Sequence, residues 1–258
     1  MEILFSLFQR IKHFFKAKGA NGIHSPFVFE FYNEVLNHPY NFYAFSEIED
    51  QRDLLLESKN IIEYQDIGTR KKHIKTKIST LASKSLMPRD KDVFLFQLCH
   101  WMKPNLVVEL GTSLGITTSY ISKAYPATIY TFEGIKAIAD EAIQVWQKLK
   151  TQNIQLILGP IENTLPDFLS KNNPKIDIAI VDANHSYEAT LLNFNTLLEN
   201  MNETGCIVFD DIYWSKDMAK AWNEIIKRPE ITVSIDLFHL GLVFFRKSSL
   251  KENFCIHW

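Results

Sequence analysis

From Pro88 onward the sequence alternates helical segments with short, β-rich apolar runs, and no other feature constrains the fold as strongly. The runs are Leu106–Leu110, Thr128–Phe132, Ile154–Leu158, Ile176–Val181 and Cys206–Phe209. Around them the spacing predicts helices over Asp90–Trp101, Thr117–Ala124, Ala137–Leu149, a short one near Pro166–Ser170, then Tyr187–Asn200 and Ser215–Lys227. Two last runs, Thr232–Asp236 and Gly241–Arg246, are close enough to pair as an antiparallel hairpin. The expectation is an α/β fold: a doubly wound, mostly parallel seven-stranded sheet closed by a C-terminal hairpin. Ligands of such sheets bind at the carboxyl ends of the strands.

Residues 1–89 read differently, as helices and loops without strand runs. Ile3, Leu4, Leu7, Phe8, Ile11, Phe14 and Phe15 recur at helical spacing, and a second helix is predicted over Ser25–Leu36. A loop through Asn37–Ser46 and a polar stretch to Leu86 follow. The expected organisation is a helical region over 1–89, serving as a lid or an oligomerisation element, and a ligand-binding domain over 90–258. The first helix is aromatic and basic. It either buries against the core or forms a membrane-surface or homodimer contact.

Charge and cysteine content narrow the class. Across 258 residues, 28 Lys and Arg against 30 Asp and Glu leave a net charge of −2, so a whole-surface attraction for nucleic acid or acidic membranes is not expected. The one basic run, Arg70, Lys71, Lys72, His73, Lys75 and Lys77, reads first as a solvated helix face and second as a lid over an anionic substrate. Nucleic acid is not an expected partner, since no aromatic RNA-binding sequence accompanies the run. Cys99, Cys206 and Cys255 are in no CxxC spacing, which indicates neither a disulfide framework nor a zinc site and suits a reducing, cytoplasmic setting. No window approaches the roughly 18 apolar residues that would span a bilayer. The apolar run at 3–8 lacks the flanks of a signal peptide.

The chemistry-bearing residues cluster where the strand runs end. The first run leads into Glu109-Leu110-Gly111-Thr112-Ser113-Leu114-Gly115-Ile116-Thr117. Glycines there allow a sharp turn and let a ligand lie against bare backbone, beside the free N–H groups of the next helix. A dinucleotide fingerprint would need a second glycine where Ser113 stands, so the expected ligand is a nucleoside without a pyrophosphate. Glu133, 22 residues after Gly111, ends the second run and is followed by Gly134. A carboxylate there can accept both ribose hydroxyls, or it can serve as an acid at a helix N-terminus.

Three aspartates form the second group. Asp182 ends the fourth run, with His185 three residues on, and Asp210 and Asp211 end the fifth. Gathered carboxylates repel unless a cation joins them, and hard oxygen donors suit Mg²⁺, Ca²⁺ or Mn²⁺. His185 could reach the same space as a base. The other reading makes Asp182, Asn184 and Ser186 helix caps and Asp210-Asp211 a solvated turn. Tyr213 and Trp214 wall an acceptor pocket or pack on the last helix.

Over about residues 90–247 these motifs resemble class I S-adenosylmethionine-dependent methyltransferases. The resemblance rests on Glu109 to Gly115, Glu133, Gly159-Pro160, the Asp182 motif and Asp210-Asp211. Asp182-x-x-His185 with Asp210-Asp211 looks most like the metal-dependent O-methyltransferases. Asp211 departs from the Asp-Asn of the catechol type and matches the Asp-Asp of the type acting on antibiotic sugars. The resemblance implies a Rossmann-like fold, with Glu109, Gly111, Ser113 and Thr117 around the methionine part of S-adenosylmethionine. It implies Glu133 and Gly134 at the ribose and Gly159, Pro160 and Ile161 near the adenine. Asp182 would border the cofactor, His185 and Asp182 would be the catalytic pair, and Asp182, Asp210 and Asp211 would hold a divalent cation such as Mg²⁺. The implied activity is methylation of a hydroxyl on a small-molecule substrate. A metal-independent enzyme for another acceptor, or a non-catalytic binding subunit that keeps the fold, are the alternatives.

Overall fold

The computed structural model describes residues 2–37, 42–65, 72–246 and 250–258. By its contacts the chain divides into two compact units: Met1–Asn37 together with Asn172–Trp258, and His38–Lys171. The first 89 residues are therefore shared between the units.

The N-terminal part of the first unit holds α1 (Glu2–Lys16) and α2 (Pro26–Phe31). Pro26 starts α2 at a position whose N–H would have no helical partner anyway, and the helix runs into a π-helical turn at Tyr32–Leu36.

The second unit begins with α3 (Tyr43–Glu57), β1 (Ile61–Gln65), β2 (His73–Lys77), α4 (Ile78–Ser85) and α5 (Arg89–Met102). It continues with β3 (Leu106–Leu110), α6 (Ile116–Ala124), β4 (Thr128–Glu133), α7 (Lys136–Lys148), β5 (Ile154–Leu158) and α8 (Ile161–Asn172). β4 lies between β3 and β5, all parallel, with Leu110 opposite Phe132 and Glu133 opposite Leu158. This register brings the ends of β3 and β4 level, which places the Gly111 turn beside Glu133. Phe45 of α3 packs on Phe96 of α5 and Tyr120 of α6, at ring-centre distances of 4.8 and 5.1 Å.

The rest of the first unit comprises β6 (Ile176–Val181), α9 (Tyr187–Leu198), β7 (Met201–Asp210), α10 (Lys216–Ile225), β8 (Val233–Asp236), β9 (Leu240–Phe244) and β10 (Glu252–Cys255). β6 and β7 are parallel; β9 runs antiparallel to both β7 and β8. Gly241 in β9 is needed because a Cβ there would stand 2.8 Å from the Trp222 ring. Phe27 of α2 packs edge-on against Phe244 of β9 at 5.0 Å, which is how an early segment joins this late unit.

The strands belong to a mostly parallel eight-stranded sheet, three of them, β3-β4-β5, from the second unit and five, β10-β8-β9-β7-β6, from the first. The α/β expectation and the C-terminal hairpin are thus met, with one strand more than the seven expected. The extra strand, β10, reads Glu-Asn-Phe-Cys, too short and polar to stand out; its pairing with β8, Cys255 opposite Asp236, makes it a strand.

Three other expectations are corrected. Residues 1–89 are not strandless: β1 and β2 pair antiparallel, from Ile61 opposite Lys77 to Gln65 opposite His73. The basic run is consequently not a helix face. Lys75 and Lys77 sit on β2, whose residues alternate exposed and half-buried, and Lys75 pairs with Glu63 on β1. Arg70 and Lys71 lie outside the described residues. Finally, α8 begins at Ile161 rather than near Pro166. The Pro160 carbonyl accepts the N–H groups of Asn163 and Thr164 and nucleates the helix early, so Pro166 lies inside it.

Candidate cofactor and active site

Each unit carries one part of the expected chemistry. In the second unit, the chain leaving β3 turns through positive φ at Gly111 (103°), Ser113 (50°) and Gly115 (77°) before α6 starts. Gly115 is required twice over: its φ suits glycine, and a Cβ would lie 2.7 Å from Trp146 Nε1. That indole N–H instead donates to the Gly115 carbonyl at 3.0 Å and fixes the turn on α7. The backbone N–H groups of Gly111 and Thr112 both reach the Phe132 carbonyl at 3.1 Å, which joins the turn to β4.

Glu133 is buried at the end of β4. Its Oε2 accepts the Ser113 N–H at 3.0 Å and its Oε1 accepts the Ile135 N–H at 2.9 Å. Burial raises its pKa, and the hydrogen bonds from Ile135, Ser113 and Gly134 offset part of that rise. Each oxygen keeps acceptor capacity, so the carboxylate can still receive two hydroxyls. Glu109 has a different environment. It is 1% exposed, and Thr118 and Thr131 each donate a 2.6 Å hydrogen bond to its Oε2. Thr112 extends this chain through Thr131 Oγ1 at 2.6 Å. Glu109 thus braces the turn from beneath. The Ser113 hydroxyl donates to Ser85 Oγ at 2.9 Å, which ties the turn to the end of α4.

At the end of β5, Gly159 takes φ 135° and its N–H donates to the Glu133 carbonyl at 2.9 Å. Pro160 and Ile161 follow, both half-buried, at the start of α8. Gly111, Ser113, Glu133, Gly134, Gly159, Pro160 and Ile161 are thereby brought to one edge of β3, β4 and β5. Thr117 points elsewhere, toward Asp92 of α5, whose ionised form it supports.

Asp92 belongs to a buried network that motif reading did not find. Arg52 of α3 donates to Asp92, to Glu49 Oε1 at 2.9 Å and to the Met87 carbonyl at 2.8 Å, and Tyr120 of α6 donates to the same Glu49 oxygen at 2.8 Å. Burial pushes the Asp92 carboxyl up to about 7, against the pull of Arg52. The only sequence signal was an Arg on the apolar face of a segment left without an assigned element.

In the first unit, Asp182 leaves β6, Asn184 takes φ 51°, and His185 Nε2 comes within 3.4 Å of Asp182 Oδ1. Burial by itself would lower the His185 pKa. The hydrogen bond and charge of Asp182, with the charges of Asp210 and Asp211, outweigh burial and raise it. The three aspartates therefore act on one imidazole. Asp210 is buried at the end of β7, and Asp211 turns at φ 52° with its N–H donated to the His239 carbonyl at 2.7 Å. Ser186 caps α9 by accepting the Ala189 N–H at 3.3 Å, so the capping role falls to Ser186 and leaves Asp182 to His185. Tyr213 stacks on Phe238 and donates to Asp236 at 2.6 Å, while Trp214 is exposed.

The three carboxylates offer the hard oxygen donors that suit a divalent cation and their charges all act on His185, although their oxygens are not gathered within ligand distance of one another. Among the described residues, the group whose metal-binding atoms converge within 4.8 Å is a different one: His13, Asp236 and Cys255. There His13 Nε2 lies 3.2 Å from both Asp236 Oδ1 and the Asp236 carbonyl. Burial opposes charge on His13, yet the hydrogen bonds to Asp236 and Cys255 lift its pKa to about 10. That rise favours the protonated imidazole, which is not a metal ligand.

The eight-stranded sheet with its flanking helices shares the fold of solved methyltransferases. Residues 108–212 match the family model described as a methyltransferase domain, a span that includes both the Gly111 turn and Asp182, Asp210 and Asp211. An O-methyltransferase from Bacillus cereus in complex with SAH superposes with a TM-score of 0.61 at 13% identity, over 83% of this chain and 96% of that one. The SAH-bound methyltransferase PaMTH1 of Podospora anserina gives 0.60 at 16% identity, over 81% and 89%. A stretch of 83 residues is 32% identical to uncharacterized protein R132 of Acanthamoeba polyphaga mimivirus, covering 31% of this chain and only about a third, 34%, of that relative.

Proposed function

We propose that the protein transfers a methyl group from S-adenosylmethionine to a hydroxyl of a small molecule. The observation that carries this reading is Glu133: a buried carboxylate, held by the N–H groups of Ser113 and Ile135 beside a turn that must contain Gly115. That arrangement suits a ribose, whose two hydroxyls charge-assisted acceptors hold well. Ser113 in place of the glycine that admits a pyrophosphate supports a nucleoside over a dinucleotide. When bound, the cofactor supplies an electrophilic methyl group on a sulfonium.

The chain's own part is to place the acceptor and remove its proton. Neutral His185 accepts that proton, and Asp182 orients the imidazole through the 3.4 Å contact. The raised His185 pKa makes it a stronger base, active above that pKa. Asp182, Asp210 and Asp211 would hold a divalent cation, which would polarise an acceptor oxygen. O-Methylation is favoured over other acceptors because the O-methyltransferase from Bacillus cereus and TomG, an O-methyltransferase involved in tomaymycin synthesis, share the fold, and because His185 is poised for an O–H proton. Titration calorimetry tests the cofactor assignment. Saturable binding of S-adenosylmethionine without binding of NAD is expected, and NAD binding that competes with S-adenosylhomocysteine would overturn it.

A further inference from the structure

Helix α1 is mounted with its polar side on the protein and its apolar side outward. Its anchor is His13, bonded to Asp236 and edge-on to Phe238 at 5.6 Å, with Lys18 continuing the attachment by backbone hydrogen bonds to Cys255 and His257. On the opposite side Leu4, Leu7, Phe8, Ile11 and Phe15 are between 51% and 82% exposed, and Phe14, at the border of this face, is 64% exposed while it meets His257 edge-on at 5.5 Å. A helix that needed only a core would turn that face inward. Contiguous apolar surface of this kind marks an interaction site.

Charge decides between occupants. At 3.6 residues per turn, Arg10 falls on one edge of the apolar face and Lys12 and Lys16 on the other, and all three are exposed. No acidic residue occurs between Ile3 and Phe29. Two copies meeting through this face would set basic edge against basic edge with no acid beside Arg10, Lys12 or Lys16 to relieve it, since the helix's one acid, Glu2, stands at its first position. Lipid phosphates would neutralise both edges, with the lysine stems lying along the acyl boundary. The helix has 15 residues, about 22 Å at 1.5 Å per residue, against a hydrocarbon core of about 30 Å. Among the described residues no helix is long and apolar enough to cross a membrane. A surface-lying geometry is the one that length and sidedness allow.

We propose that α1 docks the protein on an anionic membrane surface, with Leu4, Phe8, Ile11 and Phe15 inserted at the interface and Arg10, Lys12 and Lys16 on the headgroups. The test is flotation of the full-length protein with vesicles of equal parts phosphatidylglycerol and phosphatidylcholine, compared with phosphatidylcholine alone. Wild type should float with the mixed vesicles and partition about tenfold more weakly to the neutral ones. The Phe8→Ser, Phe15→Ser double variant should lose about a hundredfold in partitioning with an unchanged unfolding midpoint, because both side chains are exposed. Lys12→Glu with Lys16→Glu should lose about tenfold or more on the mixed vesicles. Wild type that stays unbound on both vesicle types, or that binds both equally, overturns the proposal. So does a concentration-dependent dimer, seen by analytical ultracentrifugation, that the phenylalanine variant converts to monomer without any vesicle binding.

Discussion

The two units hold their candidate acids in opposite ways. In the second, Glu133 is gripped by backbone N–H groups and Glu109 by two buried hydroxyls, so the binding turn cannot change shape without breaking bonds that water does not replace. In the first, Asp182 and His185 keep a quarter to a third of their side chains exposed and meet across 3.4 Å. Such contacts can be exchanged for substrate groups at little cost. A binding region gains from rigidity because ordering is completed before the ligand arrives. Groups that move a proton need partners they can leave.

The largest effect should appear beneath the rigid side. Replacing Arg52 by Met would strand Asp92 in a buried site and take one partner from half-buried Glu49, and urea unfolding should show a loss of about 3–5 kcal/mol. A loss below about 1 kcal/mol would mean the network does not stiffen this unit. The same acid gives a pH signature. With a folded pKa of about 7 against roughly 4 unfolded, Asp92 binds more protons in the folded state, so its contribution to stability should fall as pH rises from about 4 to about 7. Asp92→Asn should flatten that part of the stability–pH curve.

Next in size is the adaptable side. With His185 as the proposed base, His185→Ala should lower turnover by roughly 10²- to 10⁴-fold while leaving cofactor affinity unchanged. Equal turnover in the variant would remove the base. The pH profile sharpens the point: activity should rise with pH through the raised His185 pKa, and Asp210→Asn, by removing one of the charges that raise it, should move that limb to lower pH.

Glu133→Ala should weaken S-adenosylmethionine by about 2 kcal/mol, roughly thirtyfold, through two lost charge-assisted hydrogen bonds. Unchanged affinity in a variant of equal thermal stability would break the ribose assignment. The smallest expected effect is that of a cation. Mg²⁺ at tenfold over its dissociation constant would stabilise the wild type by about 1.4 kcal/mol, read as a higher melting temperature. Asp210→Asn and Asp211→Asn should weaken that response. No response to millimolar Mg²⁺, Mn²⁺ or Ca²⁺ would withdraw the cation from the proposed site.

Much of this was legible in the sequence because it is local. The strand at Leu106–Leu110, its Gly111 turn and Glu133 at the end of the next run each depend on a few neighbouring residues, and the periodicity of apolar runs carries them. The outward face of α1 was visible as a helical repeat, but not its direction: periodicity says that one side is apolar, and only the His13–Asp236 contact, 223 residues apart, says which side meets the protein. The hairpin β1–β2 and strand β10 were hidden for a related reason. Their residues are polar or mixed, and pairing alone makes them strands. The Arg52–Asp92 network was equally hidden, since its partners are 40 residues apart and an arginine on the apolar side of one segment does not name its partner. Local propensity and apolar spacing determined the α/β alternation, the turn and the candidate acids. Tertiary structure decided which charges are buried, which partner each one takes and which way an amphipathic helix faces, because those depend on desolvation and on contacts between segments far apart in the chain.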